Sequence, residues 1–124
     1  MYATFIGGNG SEQPHSLIAD PAGNLYVAGR TNSTNYPTVG PQPYAGQGYD
    51  IVVTKLNSTG SAPLLASVRV GGSVDDGVNI SPNRSGAQSL EQNYGDDGRS
   101  EVILDRAGNV YVASCTQSAN FPTT

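Results

Sequence analysis

The chain has 124 residues, a net charge of −4 and a single Lys among six basic residues. That balance leaves no basic footprint for nucleic acid or an anionic membrane, and no apolar run nears the roughly 18–20 residues of a membrane span. One Cys closes no internal disulfide and supports no cysteine-rich zinc site, while Gly, Pro, Asn, Ser and Thr together make up about 45% of the residues, so the chain is either disordered or dense in turns.

The order of residues favours turns. Apolar residues fall into short β-branched and aromatic runs such as Leu25–Ala28, Ile51–Val53, Val102–Leu104 and Val110–Val112, and no window keeps a helical period for three turns. The reading is all-β. In chain order, residues 2–6 read as the last strand of a preceding unit, closed by Gly7-Gly8. A strand near 16–20 runs into Asp20-Pro21-Ala22-Gly23, the signature of a type I turn with a glycine bulge: Asp bonds back to the turn, Pro presets φ, and Gly supplies φ > 0. Strands follow at 24–30 and 50–56, separated by a long loop over 31–49. Asn57-Ser58-Thr59-Gly60 has the turn form again, before a strand at 63–70. Gly71-Gly72 opens a second long connection, 71–99. Strands at 101–105 and 109–115 then flank Asp105-Arg106-Ala107-Gly108. The two Gly-Gly pairs read as tight bends needing φ > 0, since no Gly-Lys-Ser/Thr follows to make a phosphate loop.

These elements repeat. Asp20–Thr38 aligns without gaps on Asp105–Thr123, with 12 of 19 positions identical at an offset of 85. Ile6-Gly7-Gly8-Asn9 matches Val70-Gly71-Gly72-Ser73 at an offset of 64. The second unit therefore holds about 21 extra residues, read as a loop insertion at 73–99. The organisation becomes 1–8 as the last strand of a preceding blade, 9–72 as one complete blade, 73–99 as the insertion and 100–124 as the first half of the next blade.

Repeated four-stranded antiparallel meanders are the plan of propeller blades. Tyr2-Ala3-Thr4-Phe5-Ile6-Gly7-Gly8, then Asp20-x-x-Gly23-Asn24-x-Tyr26-Val27-Ala28-Gly29, then Thr31-x-Ser33-x-x-Tyr36-Pro37 resembles the bacterial SBBP β-propeller repeat. The Asp-x-x-Gly-Asn-x-Tyr-Val core alone would also fit NHL-type repeats, and Ser114-Cys115 departs from Gly29-Arg30. The resemblance implies a fragment of a larger propeller within a secreted or cell-surface protein, of a kind that includes Bacteroidetes substrates of type IX secretion. Its partners would be the remaining blades and a protein or glycan ligand, with neither nucleic acid nor membrane insertion. The export signal is expected outside these residues. Such a piece should expose open sheet edges, and self-association would not supply the third and fourth strands of its second blade.

The resemblance implies a non-catalytic scaffold or binding module. The alternatives are a propeller hydrolase or lyase with its site in other blades, and a glycan-binding adhesin. In a meander, the loops 31–49 and 71–99 leave at one end, where ligands are expected. Tyr36, Tyr44, Tyr49 and Tyr94 are the candidate ligand-face residues. Tyr36-Pro37 and Phe121-Pro122 are also read as anchors of the long loop, because an aromatic before Pro favours extended backbone. Asp75, Asp76, Asp96 and Asp97 are the only calcium candidates, in Gly-containing acidic pairs, against their reading as Asx-turn residues. No other cofactor is expected. His15 lies in no triad or metal spacing and Cys115 sits in a strand, so no catalytic residue is assigned.

Overall fold

A computed structural model describes residues 3–42, 46–60, 64–77 and 101–123. Among these residues six strands form: β1 (Glu12–Ala19), β2 (Leu25–Thr31), β3 (Asp50–Leu56), β4 (Ala66–Val70), β5 (Glu101–Leu104) and β6 (Val110–Ala113). The first four make one sheet in the order β1-β2-β3-β4, and β5-β6 make a second. Every pairing is antiparallel and there is no helix among the described residues, as the short apolar runs predict. Residues 3–8 pair with no strand among the described residues, and Phe5 is fully exposed.

The tight turns form as their chemistry dictates. Gly23 N–H donates to Asp20 O at 2.9 Å, and Asp20 Oδ1 accepts the N–H groups of Ala22 and Asn24 at 3.0 and 2.9 Å. Asp105 repeats each contact with Gly108, Ala107 and Asn109. Gly23 and Gly108 take φ of 81° and 84°, a region costly for any residue with a Cβ. Asn24 and Asn109 also donate to Asp20 and Asp105, and this bond first of all holds both carboxyls below their ordinary value.

Alternation gives the first sheet two faces. One carries Ile18, Tyr26, Ala28, Ile51, Val53 and Val68, and it meets the second sheet. There Tyr26, Ala28 and Val102 form the buried core, with Ile18, Val53, Leu104 and Val112 packed around them. Burying one such aliphatic side chain stabilises by about 1.5–3 kcal/mol. Val102 N–H donates to Ser16 Oγ at 3.1 Å and fixes the height of β5 against β1. The opposite face is capped by Tyr36, whose hydroxyl joins Thr54 Oγ1 at 3.0 Å, which in turn meets Ser67 Oγ at 3.0 Å.

The outer edge of β4 is not open, contrary to expectation. Val39 exchanges both backbone hydrogen bonds with Ser67. Gln42 continues the cover, accepting Arg69 N–H at 2.7 Å and donating to Ser67 O at 3.2 Å. The loop after β2 thus wraps its own sheet, one of the ways proteins blunt edges. The outer edge of β6 has no such cover among the described residues.

The register also relocates the insertion. In β1 the pairing slips between Pro14 and Ser16, a bulge that leaves His15 outside the ladder. Before the slip Glu12 pairs with Thr31; after it Ser16 pairs with Ala28. In the second unit Asp76 bridges Thr116, and Glu101 pairs with Ala113. Gly77 N–H still donates to Cys115 O at 2.9 Å. Residues 73–77 therefore repeat the contacts of 9–13, so in sequence the added residues of the second unit fall between Gly77 and Glu101; residues 78–100 lie outside the described residues.

Candidate functional site

At the end of the sheet where the long loops leave, the sequence builds the same carboxylate clasp twice. Glu12 opens β1, so its side chain faces Thr31 across the ladder. Its Oε1 accepts the Thr31 hydroxyl at 2.8 Å, the Ser33 hydroxyl, and Gly8 N–H at 3.3 Å. Thr31 Oγ1 in turn accepts Ser33 N–H at 2.9 Å, the turn that brings the two hydroxyls side by side. Ser33 Oγ accepts Gly10 N–H and Asn35 Oδ1 accepts Asn9 N–H, both at 2.7 Å.

Asp76 does the same work in the second unit. Its carboxylate accepts Gly72 N–H at 2.6 Å, the Ser118 hydroxyl at 2.9 Å and the Thr116 hydroxyl. Thr116 Oγ1 accepts Ser118 N–H at 3.0 Å, Ser118 Oγ accepts Val74 N–H at 3.1 Å, and Asn120 Oδ1 accepts Ser73 N–H at 2.9 Å. Each clasp ties the Gly-Gly segment to the end of the second strand of its unit. A carboxylate that accepts several such donors is held in one orientation. Gly8 and Gly72 are required here for space, not for the positive φ read from the sequence. Neither has φ in the left-handed region, and a Cβ on either would collide with Ser33 and Asn35, or Ser118 and Asn120.

Beside the first clasp lies a buried ion pair. Arg69 of β4 reaches Asp50 of β3 with Nε at 2.6 Å and Nη2 at 2.5 Å, and its Nη1 donates to Ser33 O at 2.7 Å. Asp50 is wholly buried and Arg69 nearly so. Burial pushes the Asp50 carboxyl above its ordinary value, against the pull of Arg69. Gly71 stands against this carboxylate, with no room for a side chain. On the other face Arg30, also buried, lies over the Tyr49 ring at 4.2 Å and donates to Gln13 Oε1 at 2.7 Å.

The residues singled out from sequence separate accordingly. Tyr36 is buried on its own sheet, so it is an anchor and not a ligand-face residue. Phe121, its repeat partner, points into the cleft between the sheets. Tyr49 is half-buried under Arg30. Asp76 is fully buried within its clasp, and Asp75 Oδ1 accepts Tyr49 N–H at 2.9 Å. Tyr44, Tyr94, Asp96 and Asp97 lie outside the described residues. Among the described residues no group of three or more His, Cys, Asp or Glu is placed to hold a metal ion. Sequence reasoning missed Glu12, Asp50 and Arg69. The recurrence of Thr31-x-Ser33-x-Asn35 as Thr116-x-Ser118-x-Asn120 was the one visible signal of the clasp.

Between the sheets, beyond the buried core, a cleft of about 470 Å³ remains open. Ile51, Val53, Val68 and Val70 line one wall, and Val110, Val112 and Phe121 the other. Its walls continue the apolar core, and its polar lining is Tyr26 and Lys55 together with Ser114, Cys115 and Thr116. Such a surface suits packing by further strands and offers little acid–base chemistry.

No curated protein and no solved structure matches the chain. One family model does, over residues 2–37, a stretch that takes in the first clasp, the first turn and Tyr36-Pro37. That model is the SBBP beta-propeller repeat, matched over residues 2–37, and the all-β chain with its four-stranded antiparallel sheet is consistent with a fragment of propeller blades.

Proposed function

We propose that this propeller-repeat module is a non-catalytic scaffold or binding unit of a secreted or cell-surface protein. The observation behind this reading is the doubled clasp. The polar residues that recur between the units, Thr31, Ser33 and Asn35 with Thr116, Ser118 and Asn120, are all engaged by their own unit's backbone and carboxylate. Their recurrence is accounted for by holding loops in place. What differs between the units is the loop end: Arg30 against Cys115, and the added residues after Gly77. Partner recognition is assigned to that end, with the part of 31–49 not spent on Tyr36, Val39 and Gln42. Further blades of the same kind would flank the module, and a protein or glycan is the ligand class.

A glycan array probed with the protein, and with alanine replacements across 31–49 and at Asn57–Gly60, tests the placement. Signal lost through the loop and kept through the turn supports a binding role at this end. Signal lost only through the turn overturns it. An array without signal favours the scaffold.

A further inference from the structure

We infer that Asn9-Gly10 is a self-modification site, an asparagine set up for deamidation, and that the first clasp is the gate that keeps it closed.

Asn9-Gly10 is the one Asn-Gly step in the sequence. In such a step the next main-chain nitrogen attacks the asparagine side-chain carbon, and glycine, with no Cβ, leaves that approach open. Packing demands glycine at position 10. A Cβ there would run into Asn32 Oδ1, itself held by Ser11 N–H at 2.7 Å, and would stand 3.0 Å from Ser33 N. The same packing therefore puts the labile pair at the loop end, where Asn9 and Gly10 are both exposed to water. The second unit makes the corresponding contacts through Ser73 and Val74, which carry no amide to lose.

Ring closure joins Gly10 N to Asn9 Cγ. The Gly10 nitrogen gives up its proton, and the side-chain amide leaves as ammonia. Water then opens the succinimide at either carbonyl, leaving an aspartyl or an isoaspartyl residue at position 9. The step needs only solvent.

The clasp ties down both reacting groups. Gly10 N–H donates to Ser33 Oγ at 2.7 Å, and Ser33 is wholly buried. The Asn9 side chain accepts Thr34 N–H at 3.0 Å and donates through Nδ2 to Thr34 Oγ1 at 3.1 Å. Asn9 N–H is held by Asn35 Oδ1 at 2.7 Å. While these bonds persist, the nitrogen keeps its proton and the amide stays on Thr34. Local opening releases both together. Either product adds a negative charge beside Glu12, and the isoaspartyl form lengthens the main chain within the clasp. Opening of the loop end is thus recorded covalently and does not reverse.

Peptide mapping of the full chain by mass spectrometry, with isoaspartyl content read separately, tests this during incubation in mildly alkaline buffer. Asn9 is expected to convert at least about tenfold more slowly in the folded chain than in the same chain in urea. Ser33→Ala, still folded by circular dichroism, should speed conversion about fivefold, the effect of one hydrogen bond removed from the gate. Ser118→Ala, its counterpart in the second clasp, should leave the Asn9 rate at the wild-type value. If Ser33→Ala does not fold, Thr34→Ala, at an exposed position, carries the same comparison with a smaller acceleration. Absence of conversion in urea would remove the site. Conversion as fast in the folded chain as in urea, no acceleration when the first clasp is cut, or equal acceleration by Ser118→Ala would overturn the gate.

Discussion

Tyr26 and Tyr111 hold the same step of the same repeat, yet one is buried and the other stands half in water. Their turns are alike to within a few tenths of an ångström in every hydrogen bond. Local geometry is thus set within about six residues, by Asp, Gly and Asn, while burial is set by which sheet lies across. Among the described residues, the first copy has a neighbour on the Tyr26 face and the second has none. A residue's contribution to stability here is a property of the stack and not of the repeat.

That difference can be broken experimentally. The largest effect is expected from Asp50→Ala, which strands Arg69 in the interior and should cost about 3–5 kcal/mol in urea unfolding. A loss below about 1 kcal/mol would show that the pair is replaced by solvent. Tyr26→Ala comes next, at about 3 kcal/mol, against less than about 0.5 kcal/mol for Tyr111→Ala in dilute solution, as for other exposed sites. Equal losses would remove the argument from stacking. Glu12→Ala and Asp76→Ala should each cost about 2 kcal/mol, since each leaves three donors without their acceptor. A difference much above about 1 kcal/mol between them would mean that the two clasps are not equivalent.

The smallest effect is a matter of pH. Asp20 and Asp105 have carboxyls held below the ordinary value of 3.8, chiefly by Asn24 and Asn109. A depressed carboxyl contributes stability that is present above the unfolded value and lost as pH falls through the folded one. Carbon-detected NMR titration should place both midpoints below 3.8, and Asn24→Ala should raise Asp20 while leaving Asp105 unmoved. If both move, the turns are not independent.

Much of the fold was legible because its information is local. The three turns, the alternating strands and the all-β class follow from adjacent residues. β1 began earlier than its apolar run suggested, because Glu12 is placed by Thr31 across the ladder and not by hydrophobicity. The clasp was harder to see, since its hydroxyl partners lie 19 to 42 residues from their carboxylate and one copy uses Glu where the other uses Asp. Ser73–Gly77 shares no residue type, position for position, with Asn9–Gln13, yet it makes the same backbone contacts, so identity alone put the insertion too early. Asp50 and Arg69 meet only through the β3–β4 register, which no motif encodes. Tyr36 was visible both as an anchor and as a ligand residue, and the hydroxyl of Thr54 decides for the anchor.

The bulge at His15 has a consequence for how such chains can change. Its counterpart in the second unit admits residues 78–100 where the first has two. Register is secured on one side by a clasp and on the other by an Asp-Gly turn, so the stretch between them is free to vary in length. Closing roughly two dozen residues instead of two costs only about 2 kcal/mol in chain entropy. The first strand of the unit therefore contains a splice point, where new sequence can be tried without renegotiating the sheet around it.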